Sequence, residues 1–528
     1  MVMKPVIDAS AAAQLIRDDW TITTGGFGSC GHPEALTRAL ESRFLREGRP
    51  RGLTLVFAAG QGDRGARGLN RLAHPGLLQR VIGGFWGLTP KLGELARDDL
   101  IEAYNWPQGV VSHFFRAVAG GAPGVITPIG LHTFLDPRRD GGRLNRACRE
   151  ELIELIQVRG AEYLLYPSRP IHCAMIRGSR ADHRGNVTME GEANIGDALS
   201  QAQAAHNSGG IVVVQVQEIV AAGELEPQRV VIPGVLVDHL VKSDPLDHWQ
   251  TYGVAFDPSF TGSSRGASAD ATPSRTPAAL DAKSLIARRA YLELERFDDP
   301  LVNLGIGTPE MISRVAADEG VDAFTLTVES GAVGGRPAGG LSFGASVNPE
   351  AIVDQGAQFD FYDGGGIDLA FLGFGEVDQR GNVNVSRLRD HVNGVGGFVN
   401  ISQSAKEVVF CGTFTGDGLR VTARDGRLRI DCEGTIRKLV KEVGHLSFSA
   451  DEARRRGQRI LYVTERAVFE LSAAGLVLIE KAPGIDVRAQ ILDLSEAPIL
   501  CADEIRTMDQ RIFRSGRMSG RVVEQAAS

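Results

Sequence analysis

The sequence has little of what would mark a secreted, metal-built or membrane protein. Its six cysteines (Cys30, Cys148, Cys173, Cys411, Cys432 and Cys501) lie far apart and form no Cys-x-x-Cys pair. That argues against a disulfide scaffold or a structural zinc site and fits a reducing cytosol. The eleven histidines include no His-Glu-x-x-His and none paired with a carboxylate in helical register, so no metal is expected. No uninterrupted apolar run approaches ~18 residues, and Met1-Val2-Met3-Lys4-Pro5 opens without the apolar core of a secretory leader. A cytoplasmic protein free of membrane is the expectation. Basic residues are scattered and the formal net charge is −8, unlike the basic stripe of a nucleic-acid binder. What is present, 43% hydrophobic and 23% charged residues over 528 positions, describes a folded globular chain too long for one core.

Strand, glycine-rich turn and helix alternate along the chain. Asp8-Ala9-Ser10 caps a helix over Ala11 to Arg17, Trp20 to Thr24 reads as a strand, and Gly25 to Gly31 turns into a helix near His32-Pro33-Glu34. Leu53 to Ala58, Tyr163 to Tyr166 and Gly210 to Val216 read as buried strands. This order predicts an α/β fold with a mainly parallel sheet. From Asp257-Pro258 to Thr276-Pro277 the composition turns to Ser, Gly, Ala, Pro and Thr, as in an exposed linker. The alternation then resumes with helix Ser284 to Phe297, strand Leu301 to Leu304, turn Gly305-Ile306-Gly307 and helix Pro309 to Ala317. Two open α/β domains are expected, 1–256 and 281–528, joined by a linker at 257–280.

The halves echo one another. Asp182-His183-Arg184-Gly185-Asn186-Val187 matches Asp378-Gln379-Arg380-Gly381-Asn382-Val383 at five of six positions. Asn207-Ser208-Gly209-Gly210 before Ile211-Val212 is set against Asn393-Gly394-Val395-Gly396-Gly397 before an apolar strand from Phe398 to Ile401. Each half also opens with a strand, a glycine turn and a proline-led helix. Three echoes in the same order favour two similar domains, and such pairs commonly hold a ligand in the cleft between them.

Several motifs compete for function. Gly26-Phe27-Gly28-Ser29-Cys30-Gly31 satisfies the dinucleotide pattern, but the next strand ends Val56-Phe57-Ala58-Ala59-Gly60 with no acid for a ribose. A nicotinamide site is disfavoured. Gly262-Ser263-Ser264-Arg265-Gly266 satisfies the hydrolase elbow but lies in the linker, without the strand and helix an elbow needs. Phe324 to Val328 is an apolar and β-branched run that ends on Glu329 and breaks into Ser330-Gly331-Ala332-Val333-Gly334-Gly335. That places an acid at a strand tip above a backbone bare enough for a bulky ligand to approach, or simply ends a strand in a loop. Asn105-Trp106-Pro107-Gln108-Gly109 is a turn that either is a plain loop or holds a Gln amide as a fixed donor. Gly394 to Gly397 offers backbone N–H groups for the same use.

Taken in order, these pieces resemble a family I CoA-transferase over nearly the whole chain. The first half carries Gly25 to Glu34, Gly60-Gln61-Gly62-Asp63-Arg64-Gly65 and Tyr104-Asn105-Trp106-Pro107-Gln108-Gly109. The second carries Asn303-Leu304-Gly305-Ile306-Gly307, Val328-Glu329-Ser330-Gly331, Gly394 to Gly397 and Val463-Thr464-Glu465-Arg466. Leu88 to Ala96 and Gln358 to Gly366 are most similar to the single-chain acetate/propionate type. The resemblance implies Glu329 as the nucleophile that forms a glutamyl-CoA thioester, with the Gln108 side chain and the Gly397 N–H as oxyanion donors. It implies Gly26, Phe27, Gly28, Asn303, Gly305, Gly307 and Gly396 as CoA or substrate contacts. A free glutamate titrates near ~4.3, so Glu329 is expected ionised at neutral pH without help.

The implied activity is reversible, ping-pong transfer of CoA from a short-chain acyl-CoA (acetyl-, propionyl-, butyryl-CoA) to a carboxylic acid, extending to 2-hydroxy acids. CoA is substrate and product, and no cofactor is implied. A 3-oxoacid CoA-transferase and an acyl-CoA hydrolase using the same glutamate stand as alternatives. A non-catalytic CoA-binding protein would need no glutamate beside a Gln and a Gly. The expected partners are acyl-CoA and small carboxylic acids, with a homo-oligomer, dimer or tetramer, and neither nucleic acid nor membrane.

Overall fold

The computed structural model describes residues 3–263, 280–389 and 391–519. Most of the 257–280 linker, and Ser264-Arg265-Gly266 of the elbow-like motif, lie outside the described residues. The first half is built on seven parallel strands. Their order across the sheet is His239–Lys242, Ile211–Val216, Cys173–Arg177, Thr21–Thr24, Leu53–Ala59, Leu78–Phe85 and Glu102–Asn105. Parallel strands are covered on both faces, which is why Leu53–Ala59 and Ile211–Val216 read as apolar runs and lie almost wholly buried.

The sheet grows from Thr21–Thr24 in one direction through the next three strands, then in the other from Cys173–Arg177. At such a reversal, loops leaving the carboxyl edge diverge and open a crevice. The Gly25–Gly31 turn, Gly60-Gln61-Gly62, Trp86 and Trp106 to Gln108 all follow carboxyl ends of these strands. The first helix is Ala9–Leu15, with the Asp8 carboxylate accepting from the Ala11 N–H at 2.7 Å. The second, Glu34–Glu47, ends on Gly48 in the left-handed region. Tyr163 to Tyr166 departs from expectation. It belongs to Ala161–Pro167, the middle strand of a separate antiparallel three-stranded sheet with a half-buried pattern. Its alternation of exposed and buried positions was masked by the aromatic and aliphatic residues on both faces.

In the second half, Leu301–Leu304, Leu369–Gly373, Glu407–Cys411 and Arg459–Val463 run parallel, followed by the antiparallel strands Ala467–Ser472 and Gly475–Lys481. The helices expected there form as Ala282–Tyr291 and Met311–Glu319.

The clearest sequence echo is a structural one. Asp182 closes the hairpin between Arg180–Asp182 and Val187–Thr188 by accepting from the Arg184 N–H, the Asn186 N–H and Asn186 Nδ2 at 2.9, 3.0 and 3.0 Å. Asp378 does the same for Arg380 and Asn382 at 2.9, 3.0 and 2.9 Å. Gly185 and Gly381 take φ of 86° and 90° in the two turns. The echo set between Gly209-Gly210 and Gly396-Gly397 does not hold. The first pair follows the helix Ala198–Asn207, whereas the second precedes a helix, Phe398–Ser404, where a strand was expected. Apolar and β-branched residues suggested the strand, and tertiary context overrode that weak preference.

By compactness the chain forms two units, and they are not its two halves. One unit joins the first half to Thr327–Asp363 and Arg389–Asn400, and the other takes the rest of the second half. The expected boundaries at 1–256 and 281–528 describe repetition in the sequence, while compactness follows pairing. Gly394 bridges Phe85, and Asn393 accepts from the Trp86 N–H at 2.7 Å, so these second-half residues pack with the first.

The paired Asp turns yield a prediction. Asp182→Ala and Asp378→Ala remove buried carboxylates with four donors (the Gly223 N–H at 3.4 Å being the fourth) and three, and each should lower unfolding free energy by about 2–3 kcal/mol in denaturant titrations.

Candidate active site

The stretch that carries Glu329 is a tight hairpin. Thr325–Thr327 pairs with Ala332–Val333, the Val328 N–H donates to Ala332 at 2.9 Å, and the Gly331 N–H returns to Val328 at 3.0 Å. Glu329 and Ser330 form the tip. Gly331 has φ of 109°, and a Cβ there would come within 1.9 Å of the Val353 carbonyl oxygen, so no side chain fits. Gly334 and Gly335 lie likewise against Glu350 and Val347. The bareness of the backbone here serves close packing by the protein's own chain, where the sequence suggested room for a ligand. Ser330, fully buried, donates to the Gly344 carbonyl at 2.8 Å and fixes the tip from the other side.

Glu329 keeps part of its surface accessible, yet its surroundings push the carboxyl up to about 7. Desolvation is the cause, with its own backbone N–H working the other way. The expectation of full ionisation without help is therefore corrected: at neutral pH protonated and ionised forms are both populated. Because the folded pKa lies above the unfolded one, this group's contribution to stability is lost as pH rises from the ordinary carboxyl range through about 7.

Gln108 opens the helix Gln108–Ala119, directly beyond the carboxyl end of Glu102–Asn105. Its backbone N–H donates to the Gly396 carbonyl at 2.9 Å, and the Gly396 N–H donates to Gly84 at 3.0 Å. Asn105, wholly buried, holds this junction together. Its Nδ2 donates to Gly83 and Gly84 at 2.7 and 2.6 Å, and its Oδ1 accepts from the Val395 N–H at 3.0 Å. The sequence marked Asn105 only as part of a turn. Its residue type, an amide in a buried strand, was the available signal.

Two donors are left over at this junction. Gln108 Nε2 is buried without an acceptor among the described residues. The Gly397 N–H, just before the helix Phe398–Ser404, also has none. A buried donor without a partner costs ~1–3 kcal/mol, so two in succession suit a position where negative charge arrives during a reaction. The helix Gln355–Asp363 supports both sides of the site. The Phe359 ring lies where a Cβ on Gly109 would come within 2.4 Å, and Tyr362 donates to the Thr327 hydroxyl at 2.8 Å, two residues before Glu329.

The other glycine motifs pair with each other. Gln61 Nε2 donates to Gly26 at 3.1 Å and the Gly62 N–H to Gly28 at 3.0 Å. Phe27 and Cys30 exchange backbone hydrogen bonds, Ser29 donates to Phe343, and the rings of Phe27 and Phe343 sit 5.5 Å apart. At Gly28, φ is 59° and a Cβ would meet Phe343 at 2.8 Å. Glu329, Gln108, Gly396, Gly397 and Gly26 to Gly28 thus share one compact unit, while Asn303, Gly305 and Gly307 belong to the other. There Asn303 is fully buried, the Gly305 N–H donates to Phe371 at 2.8 Å, and Gly307 faces open space. Among the described residues no His, Cys, Asp or Glu group could hold a metal ion, and no helix is long and apolar enough to cross a membrane.

Residues 6–243 match the family described as coenzyme A transferase. The chain is 42% identical to acetate CoA-transferase YdiF of Escherichia coli (strain K12), covering 99% of this chain and 97% of that protein. It is 42% identical to caffeate CoA-transferase of Acetobacterium woodii, covering 97% and 98%. The acyl-CoA transferase YdiF of E. coli O157:H7, solved as a thioester complex with CoA, superposes with a TM-score of 0.91 at 39% identity, over 98% of this chain and 97% of that one. The chain belongs to the family I CoA-transferases. It is an α/β CoA-transferase, as its sequence led one to expect.

The position of Glu329 predicts a pH profile. With its carboxyl near 7 and the ionised form reactive, kcat/KM for acyl-CoA should fall about tenfold per pH unit below that value, measured from initial rates across pH 5 to 8.

Proposed function

We propose that this enzyme moves CoA between short-chain acyl-CoA thioesters and carboxylic acids through a glutamyl-CoA thioester on Glu329. The observation that carries the reading is the pair of acceptor-free donors, Gln108 Nε2 and the Gly397 N–H, in the compact unit that holds Glu329 on a locked hairpin. The ionised Glu329 carboxylate attacks the thioester carbonyl of the donor. The C–S bond breaks, CoA leaves as thiolate, and a mixed anhydride remains. The thiolate attacks the glutamyl carbonyl, forming the enzyme thioester and releasing the donor acid as its carboxylate. An acceptor carboxylate then reverses both steps and leaves as the new acyl-CoA. The activated acyl bond is conserved throughout, without ATP.

Each addition puts negative charge on a carbonyl oxygen, and two preorganised donors in a desolvated site stabilise it without reorganising. The raised carboxyl of Glu329 fits the same economy, since a desolvated carboxylate is a stronger nucleophile than a hydrated one. Gly26, Phe27, Gly28, Asn303, Gly305, Gly307 and Gly396 complete the reading as contacts for CoA and acid, with Gly307 the most open of them. The solved relative's thioester complex with CoA supports an enzyme-bound thioester. The acid exchanged is proposed as acetate to butyrate, on the likeness to an acetate CoA-transferase. Caffeate CoA-transferase, equally identical, makes an aromatic acid the second reading. The working form is taken as a cytoplasmic homo-oligomer.

The test is direct. Incubation with acetyl-CoA or propionyl-CoA in the absence of acceptor, followed by borohydride, should modify Glu329 as read by peptide mass. Glu329→Gln and Glu329→Asp should abolish exchange, the second because one methylene withdraws the carboxylate from attack distance. Gln108→Ala should lower kcat by ~10²–10³. An unmodified Glu329 in a chain that still exchanges CoA would defeat the mechanism. Rates with acetate, propionate, butyrate and caffeate as acceptors choose between the acids, and release of free acid without acceptor would point to a hydrolase.

A further inference from the structure

Behind the Glu329 hairpin lies a buried polar group that the chemistry above does not use. Val353 donates its N–H to the Gly331 carbonyl at 2.9 Å and so backs the hairpin tip. Two residues later, Gln355, the first residue of the helix Gln355–Asp363, anchors this segment to the first half of the chain. Its N–H donates to Gly196 at 3.0 Å, and its Nε2 donates to Ser112 Oγ at 2.6 Å and Asp197 Oδ2 at 2.9 Å. Ser112, one helical turn beyond Gln108, donates to the same Asp197 Oδ2 at 3.0 Å. Ser112, Asp197 and Gln355 are 0%, 6% and 1% exposed.

The hydrogen bonds do not close as drawn. Asp197 Oδ1 and Gln355 Oε1 are both buried acceptors with no donor among the described residues. A carboxyl and a primary amide that share one N–H···O contact can close into a cyclic pair, in which the second contact is O–H···O. Turning the amide over does not remove the need for a proton, because the 2.9 Å contact to Asp197 then becomes oxygen to oxygen. We infer that Asp197 carries a proton and donates it from Oδ1 to Gln355 Oε1, forming a neutral acid–amide ring that fixes the segment behind Glu329 to the helix that begins at Gln108. Asp197 and Gln355 are thereby positioning residues for the nucleophile and its oxyanion donor.

Electrostatics agree with the geometry. Burial pushes the Asp197 carboxyl up to about 7, the Ser112 hydroxyl opposes this, Asp354 adds to it, and Arg116 opposes it. Those two are the charged groups that bear on Asp197, Asp354 from just before the helix Gln355–Asp363 and Arg116 from the helix Gln108–Ala119, and they are themselves paired at 2.7 Å. The ring is therefore closed below neutrality and opens as Asp197 ionises above it, leaving a buried anion facing the Gln355 carbonyl oxygen.

The protonation state does not depend on the role given to Glu329; the catalytic consequence rests on that reading. Asp197→Asn keeps a neutral ring at every pH, with its amide N–H in place of the acid O–H. In the full-length protein its melting temperature relative to wild type should rise by roughly 2–4 °C between pH 4 and pH 7, where wild type loses stability as the unfolded carboxyl ionises and the buried one does not, and the difference should level off above pH 7. In a Glu329→Gln background, which removes the other carboxyl near 7, the protein should show a protonated-carboxyl stretch in the infrared that titrates near neutrality and is missing once Asp197→Asn is added. Gln355→Leu, which removes the ring, should slow trapping of the glutamyl-CoA adduct about tenfold at unchanged KM for acyl-CoA. An Asp197→Asn protein whose melting temperature keeps a constant offset from wild type between pH 4 and pH 7, or a Glu329→Gln protein without the titrating band, would overturn the inference. Full exchange activity in Glu329→Gln with the Asp197 signatures intact would count against the catalytic reading alone.

Discussion

The site depends on one row of backbone hydrogen bonds at glycine. Gly84 accepts from Gly396, Gly396 accepts from Gln108, and Asn105 clamps the Gly83 and Gly84 carbonyls while accepting from Val395. A Cβ at Gly84 would fall within 2.2 Å of the Ala58 carbonyl, and one at Gly394 within 2.4 Å of Gly84 itself. Two pieces of chain nearly three hundred residues apart in sequence approach each other more closely than side chains allow. Beside that closeness lie two buried donors without an acceptor among the described residues, Gln108 Nε2 and the Gly397 N–H.

The same device recurs at the Glu329 hairpin. Gly331 lies on the Val353 carbonyl and gives the Glu329 hairpin its backing. Rigid backing matters because an acyl transfer between two carboxylates gains most from fixed attack geometry and from donors that need not reorganise. The polar group of Ser112, Asp197 and Gln355 ties that backing to the helix of Gln108, so the Glu329 hairpin and the Gln108 helix share one support. A buried carboxyl kept neutral is well suited to such a task, since it bonds in two directions without the desolvation cost of a charge.

Much of this was legible from residues alone. The alternation of strand, glycine turn and helix predicted an α/β fold, and the strands and helices singled out in the first half and after the linker each begin within a few residues of where they were read. The Asp-x-Arg-Gly-Asn-Val echo was legible because both copies need the same short-range geometry, an acid bonding to N–H groups two and four residues on, around a glycine with positive φ. Glu329, Gln108 and Gly397 were picked out by an ordered set of motifs, and the family they implied is the one to which the chain belongs. The helix at Phe398–Ser404 was missed because a single run of apolar residues carries no period long enough to tell helix from strand.

The sequence by itself determined local geometry and the reactive side chains: which acid ends a strand, which turn needs glycine, which amide leads a helix. These are properties of neighbours in the chain. Only the tertiary structure decided how Thr327–Asp363 and Arg389–Asn400 leave their own half to pack with the first. It also decided that the glycines beside Glu329 are filled by protein, and that Glu329 and Asp197 titrate near 7. Burial and pairing across hundreds of residues set those outcomes, and a carboxyl's pKa belongs to the surroundings that desolvate it.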